Sequence, residues 1–210
     1  MNDKPFFSVI IPAHNAEDHI KKVLHSVRMQ TFKDYELIVV CDACTDKTAQ
    51  IALGYADKVL IREYGRDGLA RNAGIDAAEG EWLLFLDDDD WWIHEYVMDR
   101  IHHYATHTDA DLLPFQFIWK NDAQGRFYWD HSVYRMNIAC WSKAYRRSFV
   151  GETRFSDKKM CSDTDFINGI LDKNPKIYYI HELYYYYNYL RPGSQTEVAE
   201  REQMPLQWMS

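Results

Sequence analysis

The stretch WLLFLDDDDWW, residues 82–92, decides how this chain is read. Its first five residues, Trp82 to Leu86, are apolar without interruption and have strand length, which predicts a strand buried on both faces, as in parallel sheets. They run straight into Asp87, Asp88, Asp89 and Asp90. An acidic run in a loop is ordinarily a solvated surface, but this one abuts a buried strand. Unit charges about 4 Å apart repel by roughly 1 kcal/mol in water and roughly 4 kcal/mol at an effective dielectric of 20. Carboxylates packed in this way call for a cation. Their oxygens are hard ligands suited to Mn²⁺ or Mg²⁺, ions that fill the rest of their shell with water and substrate phosphates. The stretch therefore predicts a divalent cation and, with it, a diphosphate ligand.

Working upstream, FFSVII (6–11) reads as a first strand, and Ile20, Val23, Leu24 and Val27 recur at helical spacing after it. Asn15 is expected to cap that helix, with Glu17 and Asp18 in its first turn, where the dipole favours negative charge. ELIVVC (36–41) reads as a second buried strand, and the turn DACTD follows it. Thr45 or Asp46 is expected to start a helix through Leu53. KVLIR (58–62) is a third strand, and LARNAGIDAA (69–78) a helix with Gly80 as its C-terminal cap. Strands alternating with helices predict parallel pairing, right-handed crossovers and an open α/β sheet.

Downstream of about residue 110 the pattern changes to shorter strands, DLLPFQFIW, RFYWD, IACWSKAYR, IYYI and ELYYYYNYL, with one helix from Asp163 to Asp172. SQTEVAEREQMPLQWMS reads as a helix ending near Pro205 and a tail. No linker, repeat or low-complexity segment interrupts the chain. The expectation is a single Rossmann-like α/β domain over residues 1–210, with a central, mostly parallel mixed sheet flanked by helices. Residues 1 to about 110 form the nucleotide half, about 111–195 the acceptor half, and 196–210 a terminal helix or tail.

At 210 residues and 47% hydrophobic composition, the chain is long enough for one full core. A formal charge of −8 offers no broad cationic surface, so nucleic acid is an unlikely partner. No basic segment with a long apolar run opens the sequence and no apolar stretch is long enough to span a bilayer, which predicts a cytoplasmic protein. Cys41, Cys44, Cys140 and Cys161 are too scattered for a disulfide framework, and the lone Cys41-x-x-Cys44 spacing is a weak zinc or redox signal. His131 and His181 are conceivable further metal ligands, though surface or core roles are commoner.

In open α/β sheets, ligands bind outside the carboxyl ends of the strands. The segments delivered there are PAHNAE, DACTD, EYGRDGLARN and DDDDWW. Together with their neighbours, SVIIPAHNAEDHI, CDACTDKT, GLARNAGI, FLDDDDWW, WSKAYRRSF and SDTDF resemble, in order over about residues 7–194, the successive motifs of family 2 glycosyltransferases with a GT-A fold. The resemblance implies an inverting, metal-dependent glycosyltransferase that takes a nucleotide sugar, most often a UDP-sugar, to a glycan or lipid-linked acceptor in polysaccharide or glycoconjugate synthesis. With a lipid-linked acceptor it would work at the inner face of the membrane.

Carried over residue by residue, Pro12, His14, Asn15 and Glu17 lie around the nucleotide, with turn and cap as the alternative for Pro12 and Asn15. Asp42 contacts base or ribose, and Arg71 lies near base and phosphates unless it is simply an exposed helix residue. Asp87 and Asp89 match the metal-binding DxD positions, and Asp88, the variable place, is free to contact ribose. Asp163 matches the general base that takes the acceptor's proton; the alternative is that Asp163 or Ser162 caps its helix, and Asp165 is the back-up base. Ser162 replaces the family's Glu, and CDACTDKT departs from the usual DDGSTDGT. Arg191, in the R-x-G-S turn after the tyrosine-rich strand, is a further diphosphate contact. Trp91, Trp92 and Trp141 are either core or acceptor platform. A loop between about Gly151 and Cys161 is expected to close over the donor.

Competing readings are a sugar nucleotidyltransferase, a catalytically silent sugar-nucleotide sensor and a dinucleotide dehydrogenase. The first lacks its basic glycine-rich triphosphate loop in PAHNAE, and the last lacks a G-x-G-x-x-G after the first strand. Against the sensor stand the acid cluster and Asp163 together.

Overall fold

The computed structural model describes residues 4–121, 126–129, 139–158 and 162–188. Its elements run β1 (Phe7–Ala13), α1 (Ile20–Arg28), β2 (Tyr35–Asp42), α2 (Thr48–Ala52), β3 (Lys58–Arg62), α3 (Asp67–Ala77), β4 (Trp82–Phe85) and β5 (Trp91–Trp92). There follow α4 (Val97–His107), β6 (Leu112–Asn121), β7 (Arg126–Trp129), β8 (Lys143–Arg146), α5 (Arg147–Val150), α6 (Ser162–Leu171) and β9 (Ile180–Tyr187). A 3₁₀ turn, Cys140–Ser142, leads into β8.

Nine strands form one curled sheet in the order β3-β2-β1-β4-β8-β6-β9-β5, with β7 paired to β6. The first four run parallel. β8 then pairs antiparallel with β4 and with β6, while β9 runs parallel to β6 and β5 antiparallel to β9. The two reversals decide where the site lies. Because β8 and β5 point the other way, their starts reach the same sheet edge as the ends of β1, β2, β4, β6 and β9. Cys140, Asp87–Asp90, Trp91 and Asn188 therefore meet there, although the chain separates them widely.

The core follows the apolar pattern. Every residue of β1 and all but the first of β2 are buried, as central parallel strands covered on both faces must be. Ile20, Val23, Leu24 and Val27 form the buried stripe of α1. Each such aliphatic side chain contributes roughly 1.5–3 kcal/mol on burial. α4 and β5 escaped the pattern reading, although α4 buries Val97, Ile101 and Ala105 at four-residue spacing.

Several boundary expectations are corrected. Asn15 does not cap α1: it adopts φ 47° and its side chain reaches across to Thr45. The amides entering the helix are satisfied from elsewhere, Ala16 by Thr48 Oγ1 and Glu17 by Asp46 Oδ2. No acidic residue lies in the first turn of α1, since Glu17 and Asp18 precede it. The second helix begins at Thr48, whose amide is held by Asp46 Oδ1. α3 ends at Ala77 with Ala78 as its cap, so Gly80 is not the terminator. A Cβ on Gly80 would stand 2.5 Å from the Ser8 nitrogen, and the glycine is needed for the close pass of the chain beside β1. IYYI and ELYYYYNYL contribute one strand, β9, preceded by an isolated bridge at Ile177. The expected terminal helix lies outside the described residues.

Candidate active site

Pro12, buried near the end of β1, has a position no other interior residue of the strand offers. The Leu86 amide bonds to Ile10 O, so alternate residues Ser8, Ile10 and Pro12 face β4. β4 pairs with β1 only up to Ile10, and the missing Pro12 N–H therefore costs no ladder bond. Beyond it the chain leaves the sheet through exposed His14 and Asn15. Asn15 Oδ1 accepts the Thr45 amide at 2.8 Å and its hydroxyl at 3.3 Å, and Glu17 Oε2 accepts the Lys47 amide at 2.9 Å. Both side chains thus tie the exit of β1 to the exit of β2.

Asp42 ends β2 at the same sheet edge. It is 5% exposed, and its oxygens accept the Tyr64 amide at 2.5 Å and the Arg66 amide at 2.9 Å. The carboxylate thereby fixes the loop between β3 and α3, and lone pairs remain on both oxygens. His14 Nδ1 pairs with the Asp42 carbonyl at 2.7 Å.

Asp87–Asp90 form a turn closed by the Asp90 amide on Asp87 O at 3.3 Å. Their four carboxylates part company. Asp88 accepts the His14 amide at 2.9 Å and so joins β1 to β4. Asp89 is partly exposed at the corner. Asp90 turns inward, is 0% exposed, and accepts the Tyr185 hydroxyl at 2.5 Å and the Asn188 amide at 2.7 Å. Burial pushes its carboxyl well above the ordinary range, and the neighbouring Asp89 and Asp87 act in the same sense. Asp90 is therefore a structural acid rather than part of a cation site.

Asp87 faces Arg71. The guanidinium is 7% exposed and holds Asp87 Oδ1 at 2.7 Å through Nη2 and Asp163 Oδ1 at 3.2 Å through Nη1. Arg71 is thus not an exposed helix residue: it bridges the two carboxylates expected to serve opposite halves of the reaction. Desolvation, opposed by Arg71 and reinforced by Asp163, raises the Asp87 carboxyl to about 6. Gly68, one turn before Arg71, lets α3 pack against the start of α6: a Cβ there would stand 2.9 Å from Ser162 Cβ and 2.8 Å from Ser156 O.

Asp163 lies in the first turn of α6. Its second oxygen accepts the Cys140 amide at 3.0 Å, so its carboxylate is directed at the sheet edge by α3 and the 3₁₀ turn together. The Cys140 amide is a contact that no motif of the sequence marks. Burial pushes the Cys140 thiol well above the ordinary range. Asp165 is committed elsewhere, to Ser156 Oγ at 2.5 Å and Lys158 Nζ at 2.7 Å. The 151–158 segment is anchored: Asn72 bonds Phe155 in both directions, and the Phe155 ring stacks on Phe166 at 4.1 Å. Trp92 and Trp141 are core, Trp141 stacking on Tyr185 at 4.4 Å, while half-buried Trp91 stacks on Tyr186 at 4.0 Å. Arg191, His131 and Cys161 lie outside the described residues, and His181 is exposed on β9.

Among the described residues no three His, Cys, Asp or Glu side chains converge as a closed metal cage, and Cys41 and Cys44 are free thiols. What the turn offers is two carboxylates, Asp87 and Asp89, at the sheet edge. That donor set fits an ion completed by phosphate and water.

The chain matches the family model described as Glycosyl transferase family 2 over residues 8–170. It belongs to that family. GlyA, a glycosyltransferase of Streptococcus pneumoniae serotype 4, is 26% identical over 91% of this chain, and the putative glycosyltransferase EpsH of Bacillus subtilis is 28% identical over 73%. The chain spans 31% of the first and 51% of the second. Among solved structures, Staphylococcus aureus TarS 1–349 in complex with UDP-GlcNAc superposes with a TM-score of 0.76 at 27% identity, covering 91% of this chain and 60% of that one. The mannosyltransferase PcManGT from Pyrobaculum calidifontis, solved with GDP-Man and Mn²⁺, shares the fold at a TM-score of 0.74 and 16% identity, covering 97% of this chain and 62% of that one. The α/β fold of this family member is thus that of GT-A glycosyltransferases. No helix among its described residues is long and apolar enough to cross a membrane.

Proposed function

We propose that this domain is an inverting glycosyltransferase that moves a sugar from a nucleoside-diphosphate sugar, a UDP-sugar in the favoured case, to an acceptor hydroxyl of a glycan or lipid-linked glycoconjugate. The observation that carries the reading is the Arg71 bridge, which sets a donor-side carboxylate, Asp87, and a candidate base, Asp163, on one guanidinium at the sheet edge. Two carboxylates held this way cannot drift apart or collapse together. The UDP preference draws support from the TarS relative solved with UDP-GlcNAc.

His14, Asn15, Glu17 and Asp42 line the cleft for the nucleotide, with Pro12 shaping its floor and Asp88 at the ribose side. Asp87 and Asp89 would hold Mn²⁺ or Mg²⁺, which supplies positive charge to the diphosphate as it leaves. Arg71 lies beside that diphosphate, and Arg191 is assigned to it from the R-x-G-S motif. Asp163 accepts the acceptor's proton as its oxygen attacks the anomeric carbon. One C–O bond forms on one face while the bond to the phosphate oxygen breaks on the other, and the electron pair departs with the nucleoside diphosphate. The Arg71 and Cys140 donors each occupy one lone pair of Asp163, leaving one on each oxygen for the incoming proton. Ser162 in place of the family's Glu leaves this arrangement intact, which favours an active enzyme over a silent sensor. The free thiols of Cys41 and Cys44 suit a reducing compartment and support the proposal of a cytoplasmic reaction, at the membrane's inner face when the acceptor is lipid-linked.

The test is donor turnover. Metal-dependent release of nucleoside diphosphate from a UDP-sugar is expected, with Asp163→Asn abolishing release while donor binding persists. An Asp163→Asn protein that turns over like the wild type would remove Asp163 from the mechanism.

A further inference from the structure

The turn that carries the candidate metal ligands is held by a residue from the far end of the chain. Tyr185, 0% exposed in β9, places its hydroxyl between the two ends of the Asp87–Asp90 turn. It donates to Asp90 Oδ2 at 2.5 Å and accepts the Asp87 amide at 3.3 Å. A phenol has one proton, and the Asp87 amide is itself a donor, so that proton must go to Asp90. The Asn188 amide holds the other Asp90 oxygen at 2.7 Å. The phenol ring is fixed in turn by the Trp141 stack and by register pairing with Trp92 and Phe117.

We propose that Tyr185 is the positioning residue of the metal-binding turn: by clasping Asp87 and Asp90 at once it sets where the Asp89 carboxylate stands relative to Asp87. This rests on the metal-dependent reading above. Asp88 and Asp89 are the two central residues of the turn, and their directions are fixed only if both ends are. Asp88 has its own tether in the His14 amide. The clasp constrains the backbone that carries both of them. With two carboxylates as the candidate ligands among the described residues, a small rotation of the turn costs cation affinity directly.

Tyr185→Phe keeps the ring and its stack while deleting both hydrogen bonds. In titrations at low temperature, UDP affinity in the presence of Mn²⁺ is expected to fall about tenfold, the loss of about one hydrogen bond's worth of positioning. UDP affinity in EDTA should be unchanged, and the Mn²⁺ concentration for half-maximal turnover should rise more than kcat falls. Should Tyr185→Phe fail to fold, Asp90→Ala deletes the acceptor of the same clasp from its other end with the same expected pattern. Equal Mn²⁺-dependent affinity in variant and wild type overturns the inference, as does an equal loss with and without metal, which marks a general structural role. A wild-type protein whose UDP affinity ignores Mn²⁺ overturns the metal reading itself, and the inference with it.

Discussion

Replacing Arg71 by methionine removes one charge from a site built around it. The guanidinium makes two ion pairs, at 2.7 Å to Asp87 and 3.2 Å to Asp163, with 7% of its side chain exposed. Each pair is worth roughly 4 kcal/mol of attraction at an effective dielectric of 20, much of it offset by the desolvation of both ions. Removing one partner exposes the uncompensated remainder, and losses of about 3–5 kcal/mol are usual for buried pairs broken from one side. Arg71→Met is therefore expected to destabilise the apo protein by about 3–5 kcal/mol near neutral pH. The cost must depend on pH. Asp87 already has its folded carboxyl raised to about 6, and Arg71 is the influence that opposes the rise, so the variant's value lies higher still. A raised folded value gives stability that is present at low pH and is lost as pH rises through it. The penalty should accordingly be large near pH 7.5 and fall by about half or more near pH 5, as a proton replaces the missing guanidinium. Urea unfolding of wild type and variant at both pH values measures it. A penalty below about 1 kcal/mol, or one equal at the two pH values, would refute the idea that Arg71 neutralises the Asp87–Asp163 pair.

Proton and cation compete for Asp87, so Mn²⁺ binding to the UDP-loaded protein is expected to weaken as pH falls through about 6 and to release a proton there, measurable by calorimetry in buffers of different ionisation enthalpy. Binding insensitive to pH in this range would exclude Asp87 as a ligand. Burial, and after it the neighbouring Cys44, Asp46 and Asp88, pushes the Cys41 thiol up to about 12. Iodoacetamide near pH 8 should therefore leave Cys41 unmodified in the native protein and label it on unfolding, as read by peptide mass spectrometry; native labelling would show that the end of β2 opens.

The sequence discloses the four parallel strands because each is built around a short apolar run, and it discloses the site because the polar segments after those runs must share one edge. What it hides is tertiary. Arg71 and Asp163 are 92 positions apart, and nothing local marks them as partners. Tyr185 is one of four consecutive tyrosines, and the strand register alone decides that its hydroxyl, rather than a neighbour's, meets Asp90. The four aspartates look equivalent on the page, yet the turn sends Asp90 into the core and leaves Asp89 at the surface. The readings of Asn15 and Gly80 fail for one reason: a loop-tying asparagine and a close-approach glycine have the same identity as a cap and a terminator, and only their tertiary partners, Thr45 and Ser8, tell them apart. The apolar stripe of α4 is hard to see in the sequence because charged residues, histidines and Tyr104 separate its buried Val97, Ile101 and Ala105.

The central claim is a cation held between the Asp87–Asp90 turn and a diphosphate. Crystals grown with UDP and Mn²⁺ test it through the manganese anomalous signal. A peak about 2.1 Å from an Asp89 oxygen and from a phosphate oxygen is the expected result. Ordered UDP in the cleft with no manganese at the turn would contradict it.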